Sequence, residues 1–271
     1  MSLLKKLFGF ARLRIRSGPN QGLWWSATSG SRYLRGDFVR GKASCLQRLA
    51  MPGEVVWDIG SHRGFTVLVE SRAVGPTGRV VAFEPNPESR RLLETHLRWN
   101  RTANVTVFPW AMGDGEGEMS FGWERKNPDA ATLPALEKRS SSLACHLGGE
   151  GHRVRMRHVD GIIRDGAAPA PTLMKIDVEG AELGVLEGAS ALLASEPRLA
   201  IVLATHGPAV HDACCERLRR EGMEVVEAEN VAMGKRDGWG AIGDADVLAF
   251  KPGRAVAPDV KSAFAAIGLH G

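Results

Sequence analysis

Three stretches of the 271-residue chain bring together residue types able to do chemistry. The first is Val55-Val-Trp-Asp58-Ile-Gly60-Ser61-His62-Arg-Gly64, an apolar β-type run that ends in an acid and then breaks into two glycines four positions apart. That pattern reads as strand, tight turn and helix. Glycine serves where the backbone turns with positive φ or lies close against a ligand, and a helix starting near Gly64 aims unpaired N–H groups into the crevice above the strand. Such a turn holds a small cofactor. The second is Glu84, 20 positions beyond Gly64 at the end of an expected strand from Arg79 to Phe83. In a doubly wound sheet an acid there reaches a ribose, whereas the plainer alternative is an exposed loop acid. Asn86 beside it is best explained as an N-cap with Pro87 at the first helical position, and it adjoins the same crevice.

The third stretch is Lys175-Ile-Asp177-Val-Glu179-Gly-Ala-Glu182, with His206 further on at the end of an expected strand from Leu199 to Ala204. If the extended backbone continues to Glu179, then Lys175, Asp177 and Glu179 share strand parity and converge beside the first turn. Charges at the end of a buried apolar strand need partners or a ligand. One alternative is structural, with Lys175 paired to one of the acids and Glu182 placed in the first helical turn, where the helix dipole favours an anion. His206 lies on the rim where open α/β sheets bind ligands, and its reference pKa makes it the best general-base candidate, ahead of Lys175. A different use of Asp177, Glu179 and His206 is to bind a divalent metal that acidifies a hydroxyl. The residues alone leave base, metal and structural roles open.

Elements to position these groups follow in order. Helices are expected from Gly64 to about Val74 and from Pro87 to about Asn100, and strands from Arg79 to Phe83, Asn104 to Phe108 and Thr172 to Ile176. A further helix carries Leu183, Leu186, Ala189 and Leu193. Another starts at Pro208 and stops at Gly222, before strands at Glu224 to Glu227 and Asp246 to Phe250. This alternation predicts a parallel, right-handed α/β sheet. Ala111 and Met112, after the third strand, either flank a cofactor's adenine or form the turn before a short strand from Glu118 to Phe121. Residues 122–151 lose periodicity and suggest a substrate-side lid. Arg153 to Val159 alternates as a strand with Arg153, Arg155 and Arg157 on a wet face.

At the start, residues 3–16 fit a short basic amphipathic helix, able to pack on the domain or at most to touch a membrane surface. A turn-rich lead-in with Trp24-Trp25 follows, then a helix around Cys45 to Ala50. The chain divides as a lead-in over 1–50, a catalytic domain over 51–252 and a peripheral tail over 253–271. A hydrophobic share of 44% supports one sizeable core. Net charge +4 comes from scattered arginines, so no nucleic-acid face is expected. The four cysteines lack C-x-x-C or framework spacing, and no run of 18 apolar residues occurs, so a soluble, cytoplasmic protein is expected, with a homo-oligomer possible.

Taken together, Asp58-x-Gly60-x-x-x-Gly64, Phe83-Glu84-Pro85-Asn86, the Lys175 to Glu182 motif and His206 resemble the FkbM family of S-adenosylmethionine-dependent methyltransferases, over about Gly18 to Lys251. The resemblance implies a Rossmann-like class I methyltransferase with a seven-stranded, mostly parallel sheet whose last strand is antiparallel, flanked by helices on both faces. It implies S-adenosyl-L-methionine as cofactor and methyl transfer to a hydroxyl of a sugar, glycan or polyketide-type metabolite. In that reading Asp58, Gly60, Ser61, His62 and Gly64 hold the methionine part, Glu84 and Asn86 the ribose side, Ala111 and Met112 the adenine, and Lys175, Asp177, Glu179 and His206 surround the acceptor. Two positions depart from the family pattern: His62 replaces a frequent Asn, and Val39 stands where an acid is common. RNA- or protein-directed methylation is the nearest rival. An NAD-dependent oxidoreductase would want glycine at position 62, and a non-enzymatic binding module would not need Glu84.

Overall fold

A computed structural model describes residues 11–121, 152–229 and 245–267. The chain enters as β1 (Arg12–Arg14), pairs antiparallel with β2 (Trp24–Ser26), and continues through α1 (Ser31–Arg35) and α2 (Arg40–Leu49). The expected helix over 3–16 is therefore corrected for its described part. Extended backbone puts Arg12 and Arg14 on one side, where both guanidinium groups lie over the Trp24 ring at 4.4 and 3.8 Å, while Ile15 enters the core. Residues 3–10 lie outside the described residues. The helix expected around Cys45 begins earlier, at Arg40, after Val39 has turned the chain with φ 43°.

The central elements are β3 (Val55–Ile59), α3 (Phe65–Val74), β4 (Arg79–Phe83), α4 (Pro87–Trp99) and β5 (Val105–Phe108). Asn86 caps α4, its side chain accepting from the N–H groups of Glu88 and Ser89. A small three-stranded sheet of β6 (Trp110–Met112), β7 (Gly117–Phe121) and β8 (His152–Arg157) follows, then α5 (Val159–Arg164). Arg157 contradicts the expected wet face: it is buried and paired with Glu116 at 3.0 Å and Asp165 at 2.5 Å. Residues 122–151, the expected lid, lie outside the described residues. The chain then runs through β9 (Leu173–Ile176), α6 (Glu182–Glu187), α7 (Ser190–Ser195), β10 (Ala200–Thr205), α8 (Pro208–Arg220), β11 (Glu224–Glu227), β12 (Ala245–Phe250) and α9 (Pro258–Ala265). The single helix expected over 183–193 is two, and between them Gly188 lies so close to the Gly113 carbonyl that a Cβ would be 2.2 Å from its oxygen. The stretch after Pro252 carries α9, with Val260 and Phe264 buried.

The main sheet runs β11-β12-β10-β9-β3-β4-β5, and only β12 is antiparallel to its neighbours. This is the expected seven-stranded, mostly parallel α/β sheet with its last strand antiparallel. Alternate strand residues feed two cores. Val56, Val80, Ala82 and Val202 face the side of α2, α3 and α9, while Trp57, Ile59, Val81 and Phe83 face that of α6 and α8. From β3 the chain winds one way to β4 and β5 and later the other way to β9 and β10, so the β3–β9 seam is the switch point above which such sheets bind ligands. No helix among the described residues is long and apolar enough to cross a membrane.

The lead-in is fixed to this core by His96 of α4. Its ring stacks on Trp25 at 3.7 Å, Nε2 accepts from the Ser26 N–H at 3.1 Å, and Nδ1 therefore donates to the Arg63 carbonyl at 2.8 Å. Burial pushes its pKa down to about 4, outweighing the Arg63 hydrogen bond. The unfolded chain takes up this proton at the ordinary histidine value and the native protein does not. Stability from His96 is thus complete above about pH 6.5 and falls as pH drops toward 4, by at most about 3 kcal/mol. Urea unfolding at pH 7 and 4.5 should show this slope in the wild type and a shallower one in His96→Phe; equal slopes would refute the assignment.

Candidate active site

The turn after β3 is shaped by two left-handed glycines, Gly60 at φ 80° and Gly64 at φ 84°. A Cβ on Gly60 would lie 1.8 Å from the Asp177 carbonyl oxygen, so only glycine lets this turn pass the end of β9. The N–H groups of Gly60 and Ser61 both reach the Phe83 carbonyl, and Ser61 Oγ donates to the Asp58 carbonyl at 2.7 Å. His62 takes φ 47° without being glycine, and Tyr33 of α1 brings its hydroxyl to 3.3 Å from His62 Nδ1. The lead-in therefore touches the glycine turn.

Glu84, at the end of β4, accepts the His62 N–H at 2.6 Å on one oxygen and the Asn86 N–H at 2.8 Å on the other. Burial pushes its pKa up to about 7, only partly offset by those two amides. A carboxylate has about four acceptor sites, so two further donors can be taken. This gathers Gly60, Ser61, His62, Gly64, Glu84 and Asn86 on one rim. Ala111 and Met112 belong to β6, buried and paired with Met156 and Arg157 of β8.

Across the seam, Asp58 is fully buried and accepts from Thr66 Oγ1 at 2.5 Å and from Lys175 Nζ at 3.3 Å. Lys175 also donates to the Gly60 carbonyl at 2.7 Å and lies 3.7 Å from Asp177. Burial opposes the charge on Lys175, but Asp58 and Asp177 outweigh it and hold its pKa above the ordinary lysine value. Lys175 is thereby a fixed cation that ties β9 to the glycine turn. Asp177 is raised by burial and lowered more strongly by Lys175, Lys42 and His206, down to about 2. Beneath Asp58, burial first and that neighbouring carboxylate second push Glu70 well up, favouring its neutral form.

His206 stands just past β10. Its Nδ1 lies 2.8 Å from Oε1 of Glu182, which is fully buried, and its Nε2 lies 3.3 Å from Glu179 and 3.9 Å from Asp177. Extended parity is not what brings Glu179 here: its φ of 55° ends the strand geometry, and the residue reaches His206 from a turn. All four expected acceptor-side residues converge nonetheless. Sequence reasoning missed Lys42 and Asp246, a buried pair at 2.7 Å, with Lys42 also 3.9 Å from Asp177. A lysine on the apolar stripe of α2 with Leu46 and Leu49 was the available signal, and it was hidden because the helix was placed too late. It also missed Glu182 as the partner of His206.

Removing one partner of a buried ion pair strands the other charge. Lys175→Met should lower unfolding free energy by about 3–5 kcal/mol in urea titrations, and Asp58→Asn on that background should restore part of it. Additive losses in the double variant would show that the two groups do not act as a pair.

The Methyltransferase FkbM domain model matches residues 58–225. The chain is 31% identical over 209 residues to the AMB antimetabolite synthetase AmbE of Pseudomonas aeruginosa, covering 64% of this chain and 10% of that protein. It is 30% identical over 163 residues to the hexuronic acid methyltransferase AglP of Haloferax volcanii, covering 58% of this chain and 60% of that protein. The match thus spans less than two thirds of either relative. A solved SAM-dependent O-methyltransferase from Thermotoga maritima aligns with a TM-score of 0.45 at 14% identity, covering 95% of this chain and 74% of that one, a loose likeness that adds nothing to the assignment. With the family model spanning both glycine turn and charged seam, this chain belongs to the FkbM methyltransferase family.

Proposed function

We propose that this chain methylates a hydroxyl oxygen of a sugar, glycan or polyketide-type metabolite, with S-adenosylmethionine as methyl donor and His206 as general base. The observation that carries the reading is the hydrogen bond of His206 Nδ1 to the buried Glu182 carboxylate. A carboxylate only accepts, so Nδ1 carries a proton, and Nε2, with Glu179 at 3.3 Å and Asp177 at 3.9 Å beside it, is the atom that takes the second one. The residues present fit the cofactor: Glu84 keeps acceptor capacity for a ribose diol, and the Gly60–Gly64 turn lies beside it, joined to it through the His62 N–H. S-adenosylmethionine brings an already activated methyl, so the protein has to hold it, align the acceptor and take one proton. Glu84 binds the ribose hydroxyls, and Asp58 acts through Lys175, which fixes the Gly60 carbonyl. His206 Nε2 takes the hydroxyl proton, and Glu179 and Asp177 stabilise the imidazolium that forms. Ala111 and Met112 border the adenine side. A carbohydrate acceptor is supported by the relative AglP, a hexuronic acid methyltransferase.

A second reading rests on the ligand atoms of Asp177, Glu179 and His206, which lie within 4.8 Å of one another. A divalent ion held there would acidify the acceptor hydroxyl directly. A cofactor-consumption screen over hydroxylated sugars, polyketide-type metabolites and RNA, with and without EDTA, separates the readings. Loss of turnover in EDTA that magnesium restores would replace the base by the metal, and an RNA-only acceptor would overturn the substrate class. His206→Gln should lower kcat about 10²–10⁴-fold while leaving the calorimetric Kd for S-adenosylmethionine within about twofold. Binding lost in step with turnover would sink the base assignment.

A further inference from the structure

Away from the crevice, α8 carries a second convergence of ligating atoms. His211 and Cys215 lie one turn apart on its buried face, 1% and 2% exposed, and Glu227 ends β11 beside them. His211 Nε2 is 3.4 Å from Glu227 Oε2 and 3.6 Å from Cys215 Sγ, and the three ligand atoms all lie within 4.8 Å of one another. None of these residues has a part in the proposed methyl transfer.

The protonation state of His211 follows from its neighbour. Thr205 has one hydroxyl hydrogen, and it goes to the Ala245 carbonyl at 3.1 Å. The same hydroxyl oxygen, 3.0 Å from His211 Nδ1, must therefore accept, so Nδ1 carries the proton. Nε2 then directs its lone pair at the thiol and the carboxylate. Metal-bound histidines are held in this way, the distal nitrogen donating to a fixed oxygen. Arg219 fixes the carboxylate through its other oxygen at 2.9 Å.

The spacing is also specific. Tetrahedral zinc, with bonds of about 2.0–2.1 Å to nitrogen, 2.0–2.2 Å to oxygen and 2.3 Å to sulfur, separates nitrogen from oxygen by about 3.4 Å and nitrogen from sulfur by about 3.6 Å. The two separations from His211 Nε2 match these values, and the sulfur and carboxylate oxygen lie within 4.8 Å of each other. Thiolate with imidazole and a single carboxylate suits zinc and not magnesium or calcium. We propose that His211, Cys215 and Glu227 form a zinc site, with these three as its ligands among the described residues. The ion clamps α8 to β11 and, through Thr205, to the end of β10, one residue before His206.

Cobalt substitution tests this in the full chain, because a thiolate ligand gives a sulfur-to-cobalt charge-transfer band in the near ultraviolet. The expected result is one cobalt per chain with that band, displaced by zinc. Cys215→Ser and His211→Gln should each abolish the band and weaken zinc binding, and Thr205→Val should weaken it about 10–100-fold. Cys45→Ser and His206→Gln should retain the band, since the Asp177, Glu179 and His206 cluster contains no sulfur. Circular dichroism of each metal-free variant checks its fold, and if Cys215→Ser does not fold, His211→Gln decides. No cobalt band, or a band that survives His211→Gln, overturns the site.

Discussion

The buried ion pair between Asp58 and Lys175 is the constraint on which the rest of this structure depends. Two adjacent parallel strands, β3 and β9, each carry a buried charge into the middle of the sheet, and neither charge tolerates that place without the other. Because Lys175 also binds the Gly60 carbonyl, the pair fixes the glycine turn as well as the sheet. Gly60 in turn presses against the Asp177 carbonyl, which sets where the acidic segment leaves β9. Position of the cofactor turn and position of the acceptor-side acids are thus one problem with one solution.

From this seam the charges alternate outward. Asp177 lies between Lys175 and Lys42, Lys42 also meets Asp246, and beyond Asp177 stands His206 with Glu179 and Glu182. The alternation places opposite charges side by side along the seam and sets His206 Nε2 beside Glu179 and Asp177. Environment sets the fixed groups: Lys175 is held charged and Asp177 strongly acidic, which leaves the imidazole, with a reference pKa near neutrality, as the proposed base. Glu84 has amide donors on both oxygens, and burial outweighs them and the charge of Lys175, so its carboxyl pKa is raised to about 7.

Much of this was legible in the sequence where local chemistry and tertiary context agree. Val55–Ile59 and Arg79–Phe83 are strands at the positions their apolar runs and flanking turns indicate, and Asn86 caps α4 as its place before Pro87 suggests. Glu84 and the Lys175 to Glu182 motif were found by their distance from strand ends. The failures have tertiary causes. Arg12–Arg14 looked helical by spacing, but pairing with Trp24–Ser26 and stacking on Trp24 select the extended form. Arg157 looked solvated, and its acidic partners come from elsewhere in the chain. Lys42 and Asp246 were invisible because a buried ion pair is a property of two distant segments, neither of which announces it alone.

The central claim, that Glu84 receives the ribose of S-adenosylmethionine beside the glycine turn, is tested most directly by calorimetric titration of the wild-type chain with the cofactor from pH 6 to 8 in buffers of different ionisation enthalpy. Ribose hydroxyls favour the ionised carboxylate, whose pKa in the free protein is about 7. Binding should therefore tighten as pH rises through about 7, with a proton released at the lower pH values and none above. Absence of binding, or an affinity and proton balance that do not change across this range, would contradict the account.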